Sequence, residues 1–237
     1  MTSPRGEIVD PKRVGIYHCV SRCVRRAFLC GKDPFSAKCY EHRRRWIRKR
    51  LIALVAVFAI EVIAYAVMSN HLHSLIKTRP DLAKDWTDEE VARRWRLLFP
   101  FRRRHGKAAE PSRGEIQAIT ADPEKVELYR ERLCSISWFN RCLNEHIARL
   151  ANVEDACKGR FWEGRFQCQR VFDIAGIIAC GAYIDLNPIR AGVAKTLEGS
   201  DHTSIQDRIY EHTKKARPAA KRWEKVPLLS IEEATEG

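Results

Sequence analysis

Two histidines, His71 and His73, stand two residues apart in the segment MSNHLH. The apolar run at 62–67 before them is rich in β-forming residues and predicts a strand. Alternate residues of a strand project to one face, so we expect the two imidazoles to lie side by side. Such a pair can bind one divalent ion and leave positions open for a substrate. The alternative is a structural role, with one ring in solvent and the other hydrogen-bonded in the core.

In a second motif, GAYIDLNP, Tyr183 stands four residues before Asn187. Asp173 is a favourable N-cap and predicts a helix over about 174–186. The helix should end at Asn187 because a residue that precedes proline disfavours the α conformation. One helical turn separates the tyrosine from the asparagine, so we expect them to share a face. An amide oxygen there could complete a site with the histidines, and oxygen ligands suit Mg²⁺ or Mn²⁺.

A tyrosine beside such a site could act as a nucleophile on phosphate. A phenol hydroxyl is mostly protonated and weakly nucleophilic at neutral pH. A divalent ion that polarises the scissile phosphate offsets this weakness. For a lone tyrosine a packed helix aromatic would be the better interpretation, and it is the combination of Tyr183 with His71, His73 and Asn187 that favours the catalytic one.

The charge of the chain points to a polyanionic partner. It has 43 lysines and arginines against 30 acidic residues, a net charge of +13. Nucleic acid is the commonest partner of such a chain, and the alternatives are an anionic membrane or a basic surface that serves only solubility. The segment GRFWEGRF interleaves aromatic and basic residues, which is typical of surfaces that stack bases and neutralise phosphates, although a core strand with a basic edge fits too. The candidate DNA contacts in and after it are Arg160, Trp162, Arg165, Phe166 and Arg170.

Residue patterns also predict the elements that position these groups. In chain order they are a strand at 14–24, a helix with a basic exposed face at 36–58, strands at 61–67 and 71–77, an irregular charged insertion at 78–123 that is helical around 87–98, a helix from Pro123 to about Leu150, a strand within 158–171 and the helix that carries Tyr183. This order indicates an α+β fold with an antiparallel sheet, in a ferredoxin-like split β-α-β arrangement. The basic run 43–50 is usually a solvated helix face, but it could extend a nucleic-acid track.

The apolar run at 51–68 resembles a membrane span in length. Glu61 would then lie near the middle of the bilayer, at a cost of roughly a few kcal/mol. The spacing is helical up to Phe58 and strand-like afterwards, so a buried helix that leads into a buried strand is the better interpretation. The nine cysteines, with no CxxC pair, and the lack of an apolar leader at 1–10 indicate reduced thiols in a cytoplasmic protein.

Three segments together resemble the single-tyrosine HUH transposases of the insertion-sequence-200 type, and most of all their REP-associated branch. They are Met68–Ile76 (MSNHLHSLI), Gly159–Phe166 (GRFWEGRF) and Tyr183–Gly192 (YIDLNPIRAG). Tyr17–Arg22 (YHCVSR) is similar to the first strand of these proteins. Three motifs in the family order are far more specific than any one of them.

The resemblance implies an enzyme that cleaves and rejoins single-stranded DNA near hairpins. His71 and His73 would bind Mg²⁺ or Mn²⁺, with Asn187 as the third ligand. Tyr183 would form a 5′-phosphotyrosine link and release a 3′-hydroxyl. The link conserves bond energy, so no nucleotide cofactor is needed. The family includes dimers and monomers, which leaves a homodimer open.

The resemblance also divides the chain into an HUH nuclease domain at 12–195, interrupted by the insertion at 78–123, and a basic extension at 196–237 that we expect to be partly disordered. Ser69 departs from the family pattern, which has proline before the Asn-His pair, but no catalytic group is lost. Two other functions fit the same residues. One is a domesticated protein that binds DNA hairpins without cutting them, and the other is a metal phosphodiesterase that uses activated water.

Overall fold

The computed structural model describes residues 8–24, 28–33, 37–101, 103–104, 107–213 and 223–235. The strands are β1 (Gly15–Arg22), β2 (Ile60–Val67), β3 (His71–Thr78), β4 (Arg103–Arg104), β5 (Lys107–Ala108) and β6 (Gln167–Val171). The helices are α1 (Arg43–Val55), α2 (Pro80–Lys84), α3 (Asp88–Leu98), α4 (Arg113–Thr120), α5 (Pro123–Cys134), α6 (Ile136–Glu154), α7 (Ile174–Arg190), α8 (Ser204–His212) and α9 (Ile231–Thr235).

A four-stranded antiparallel sheet with the order β2-β3-β1-β6 forms the centre of the fold. The order places β3 between β1 and β2, and β1 between β3 and β6, which is the predicted split β-α-β arrangement. Alternate strand residues supply two cores. Tyr17 and Leu72 belong to the core shared with α1 and α6, whereas Ile16 and Leu75 belong to the core shared with α7. The predicted α+β fold class is confirmed.

Helix α1 is shorter and less exposed than predicted. Its arginines Arg43, Arg44 and Arg48 are all buried. Arg43 pairs with two carboxylates at the end of α6, and Arg48 pairs with Asp207. Buried charges persist in proteins only when they are paired in this way. The expectation that the run 43–50 forms a solvated basic face is therefore wrong for these three arginines, and their charge is not available to DNA.

The apolar run at 51–68 divides into a helix and a strand, as predicted. Helix α1 ends at Val55 and β2 begins at Ile60. Every residue of β2 except Glu61 is buried, because helices cover both faces of the sheet. Within the described ranges, no helix has the length and apolar composition that a membrane span requires.

The insertion forms a helical layer that packs on α5. Trp95 of α3 stacks on Tyr129 of α5, with 4.0 Å between the ring centroids. The prediction of a single helix from Pro123 to Leu150 is wrong, because the helix is interrupted at Ser135, between α5 and α6. Ser135 has an extended backbone there (φ −83°, ψ 121°) and caps α6 by accepting a hydrogen bond from the Trp138 N–H.

The described part of the C-terminal extension covers the edge of the sheet. Strand β2 is an edge strand, and its outer side pairs with the extension through the bridges Ala66–Thr203 and Val62–Leu228. Unpaired strand edges promote association between chains, and covering them removes that hazard. The basic cluster at 214–222 lies outside the described residues. The segments 196–213 and 223–235 are integral to the packed structure.

His202 in this extension is buried and stacks on the ring of Trp223, with 4.1 Å between the centroids. Burial, reinforced by Arg48 and Arg44, lowers the pKa of His202 to about 3. A histidine in the unfolded chain has its ordinary pKa of about 6.5. The unfolded state therefore binds more protons between that pH and about 3, and stability falls as the pH falls through this window.

We expect His202→Asn to flatten this acid sensitivity. Between pH 7.5 and pH 5 the wild type should lose about 2 kcal/mol more stability than the variant, because only the wild type takes up this proton on unfolding. Asparagine suits the left-handed backbone at this position (φ 61°). Urea unfolding in EDTA at both pH values measures the difference. Equal losses in the two proteins would mean that folded His202 keeps an ordinary pKa.

Candidate active site

Strands β1 and β3 bring together three histidines, where the sequence predicted two. Val20 of β1 lies opposite His73, so His18 is a diagonal neighbour of His73 on the same face. The His71 and His73 ring centroids are 4.7 Å apart, and those of His18 and His73 are 5.2 Å apart. Sequence reasoning missed His18. The predicted strand at 14–24 contained it, but only the pairing register places it beside His73.

Hydrogen bonds engage the Nδ1 atom of both predicted metal ligands. His71 Nδ1 lies 2.6 Å from Asn70 Oδ1, and His73 Nδ1 lies 3.0 Å from His18 Nε2. His73 Nε2 faces the Asn187 amide nitrogen at 3.4 Å. Burial lowers the pKa of His71 to about 4, and burial with the neighbouring imidazoles lowers that of His73 to about 3. Both rings are therefore neutral at neutral pH, which is the form that ligates metals.

Helix α7 carries the other two predicted site residues to this cluster. It begins at the predicted cap, Asp173, whose carboxylate accepts a hydrogen bond from the first turn. The predicted end at Asn187 is wrong, because the helix continues to Arg190 with Pro188 inside it. Proline lacks an N–H, but so close to the helix end the loss disrupts few bonds. Tyr183 and Asn187 consequently lie one turn apart on a continuous helix.

Tyr183 lies beside the imidazoles and is open to solvent. Its ring centroid is 5.6 Å from that of His73 and 6.1 Å from that of His18, and the residue is 42% exposed. The Arg190 guanidinium lies 5.9 Å from the Tyr183 centroid. A phosphate that approached the phenol would thus meet a cation and the histidine cluster together.

A buried carboxylate fixes the rotation of α7. Asp185 lies between Tyr183 and Asn187 in sequence and faces inward. Its Oδ1 accepts a hydrogen bond from Ser204 Oγ at 2.8 Å, and its Oδ2 lies 3.5 Å from an Arg208 guanidinium nitrogen. Burial raises the pKa of this carboxyl, although both partners act in the opposite direction. The C-terminal extension, through α8, therefore holds the helix face that presents the tyrosine.

The donor set fits a divalent ion of the Mg²⁺ or Mn²⁺ class. His71 and His73 offer neutral imidazole nitrogens, and Asn187 offers an amide oxygen. In the part of the chain that the structure describes, no three or more histidine, cysteine, aspartate or glutamate side chains are placed to hold a metal ion together. A site at the two histidines would therefore depend on Asn187 and on solvent or substrate oxygens for its further ligands.

The predicted DNA contacts divide by exposure. Arg160 and Arg165 are exposed and Arg170 is half-buried. Trp162 and Phe166 are only 8% and 7% exposed and pack in the core, where the Trp162 indole donates to a backbone carbonyl of α6. This corrects the expectation of base stacking for these two rings, because neither has an open face. They anchor the loop that displays the arginines.

No family model and no curated protein matches this sequence. Among solved structures, the chain is similar to a REP-associated tyrosine transposase bound to a REP hairpin, with a TM-score of 0.52 and 12% sequence identity. The two chains share a fold. The similarity covers 98% of this chain and 96% of the transposase, so the insertion and the C-terminal extension are included in it.

Proposed function

We propose that this protein is a metal-dependent DNA transposase of the REP-associated, insertion-sequence-200-like tyrosine type. It would cleave and rejoin single-stranded DNA near hairpins. One observation carries the proposal: Tyr183, His71, His73 and Asn187, chosen from sequence motifs far apart in the chain, meet at one place. They do so in a fold shared with a tyrosine transposase.

Each residue has a definite part in the proposed reaction. A divalent ion would be held by His71 and His73 through Nε2 and by Asn187 through its amide oxygen, and it would supply Lewis-acid polarisation of the scissile phosphate. The Tyr183 hydroxyl attacks phosphorus and loses its proton to solvent, while the bond to the 3′-oxygen breaks and that oxygen takes up a proton from solvent. The products are a 5′-phosphotyrosine and a free 3′-hydroxyl, and attack by another 3′-hydroxyl reverses the step. Arg190 offsets charge on the phosphate.

The proposed substrate is single-stranded DNA that carries a hairpin. The similar transposase was solved with a hairpin bound, and the net charge of +13 favours a polyanion. Arg160 and Arg165, which are exposed on the loop before β6, would neutralise backbone phosphates. Binding should weaken steeply with salt, because each neutralised phosphate releases counterions.

The test uses hairpin-bearing single strands from the flanks of the protein's own gene, labelled at either end, with Mn²⁺ and a denaturing gel. We expect the 3′-labelled strand to remain attached to protein, the 5′-labelled strand to yield a free fragment, and EDTA to prevent both. An unstructured oligonucleotide of equal composition is the control. Free fragments without an adduct would instead establish a water-using phosphodiesterase. Hairpin binding without cleavage of any flank would establish a binding protein.

A further inference from the structure

The two candidate ligands, His71 and His73, differ in the group that their Nδ1 atom faces. His71 Nδ1 faces the side-chain oxygen of Asn70. An amide oxygen can only accept, so His71 Nδ1 carries the hydrogen and Nε2 keeps its lone pair. His73 Nδ1 instead faces a second imidazole nitrogen, His18 Nε2, at 3.0 Å. An imidazole can accept or donate, so the state of His73 depends on which ring gives the hydrogen.

Only one of the two arrangements leaves His73 able to bind a metal. If His18 donated to His73 Nδ1, the neutral His73 ring would carry its hydrogen on Nε2, which could not act as a ligand. If His73 Nδ1–H donates to His18, the lone pair is on His73 Nε2. The structure turns the amide nitrogen of Asn187 toward His73 Nε2, at 3.4 Å, which matches the second arrangement because an amide N–H needs an acceptor.

We infer that His18 is a positioning residue that accepts the Nδ1–H of His73 and so holds His73 Nε2 ready for the metal. The inference rests on the metal site of the proposed function. His18 is not a third ligand, because no group of three histidines among the described residues is placed to hold an ion. Its ring lies nearly parallel to that of His73, at an interplanar angle of 17°. Metal-bound histidines commonly have such a partner, and losing it costs about 10- to 100-fold in affinity.

Two near-isosteric variants test the role of His18 as an acceptor. The side-chain oxygen of His18→Gln can replace the imidazole nitrogen, whereas His18→Met offers only a weakly accepting thioether. Calorimetry on the full chain should show Mn²⁺ affinity about 10- to 100-fold weaker for His18→Met and restored to within about threefold by His18→Gln. Gln169→Met is the matched control, because Gln169 lies opposite His18 on β6 but is exposed. It should leave the affinity unchanged.

A second measurement needs neither metal nor activity. Nitrogen-15 NMR of the wild-type imidazoles should show His73 protonated at Nδ1 and unprotonated at Nε2. The preference for the Nδ1–H tautomer should weaken in His18→Met. Wild-type affinity in His18→Met, no rescue by glutamine, or His73 protonated at Nε2 would each overturn the inference. Failure of the wild type to bind Mn²⁺ would overturn the metal site itself, and the NMR result would still decide which ring donates.

Discussion

Replacing His73 by alanine should lower the Mn²⁺ affinity by more than the roughly 10- to 100-fold that loss of an outer partner costs. It should also remove metal-dependent adduct formation. The reason is that His73 is central to the site: its ring touches His18, His71 and Tyr183, and its Nε2 faces Asn187. Calorimetry with Mn²⁺ and the initial rate of adduct formation measure the two effects.

His202→Asn is the matched control for this experiment. His202 is also a buried histidine with a pKa lowered to about 3, but it lies in the C-terminal extension and contacts none of the site residues named above. It should leave Mn²⁺ affinity unchanged. Undiminished Mn²⁺ binding and cleavage by His73→Ala would contradict the metal site at the histidine pair.

The second large effect is on stability, at the buried ion pair Arg48–Asp207. Both side chains are almost fully buried. They form two parallel hydrogen bonds of 3.0 and 3.1 Å, and the Tyr65 hydroxyl donates to the same carboxylate at 2.8 Å. Asp207→Ala would leave the arginine charged, buried and without its carboxylate. We expect it to lower the free energy of unfolding by about 3–5 kcal/mol.

A double variant separates loss of the pair from loss of packing. Arg48→Met with Asp207→Leu removes both charges and keeps apolar volume, and such replacements are often neutral or stabilising. In urea unfolding, the double variant should therefore have a free energy of unfolding well above that of Asp207→Ala. A cost below about 1 kcal/mol for Asp207→Ala, the level of an exposed pair, would mean that water reaches this site.

Much of the sheet and of the candidate site could be predicted from the sequence. The apolar run of β2 and the histidine spacing within β3 are local patterns, and strand geometry places the two histidines of β3 on one face. The same holds for Tyr183 and Asn187, whose spacing of one turn is a property of any helix. The predicted cap Asp173 located the start of α7 because its side chain accepts a hydrogen bond from its own first turn.

The errors arose where distant parts of the chain decide the structure. Arg48 is indistinguishable in sequence from a solvated arginine until Asp207, far along the chain, is brought to it. His18 becomes part of the site only through the register of β1 against β3. Trp162 is buried because α6 supplies the carbonyl that its indole needs. Local patterns carry no record of such long-range partners.

The proposed tyrosine nucleophile is tested most directly by identifying the residue that carries the DNA. The adduct formed by wild-type protein with Mn²⁺ and the cleaved hairpin strand is digested with nuclease and trypsin, and the peptides are sequenced by mass spectrometry. We expect a nucleotide on Tyr183, no adduct from Tyr183→Phe, and normal adduct from Tyr210→Phe, a control on α8. A nucleotide on another residue, or an undiminished adduct from Tyr183→Phe, would contradict it.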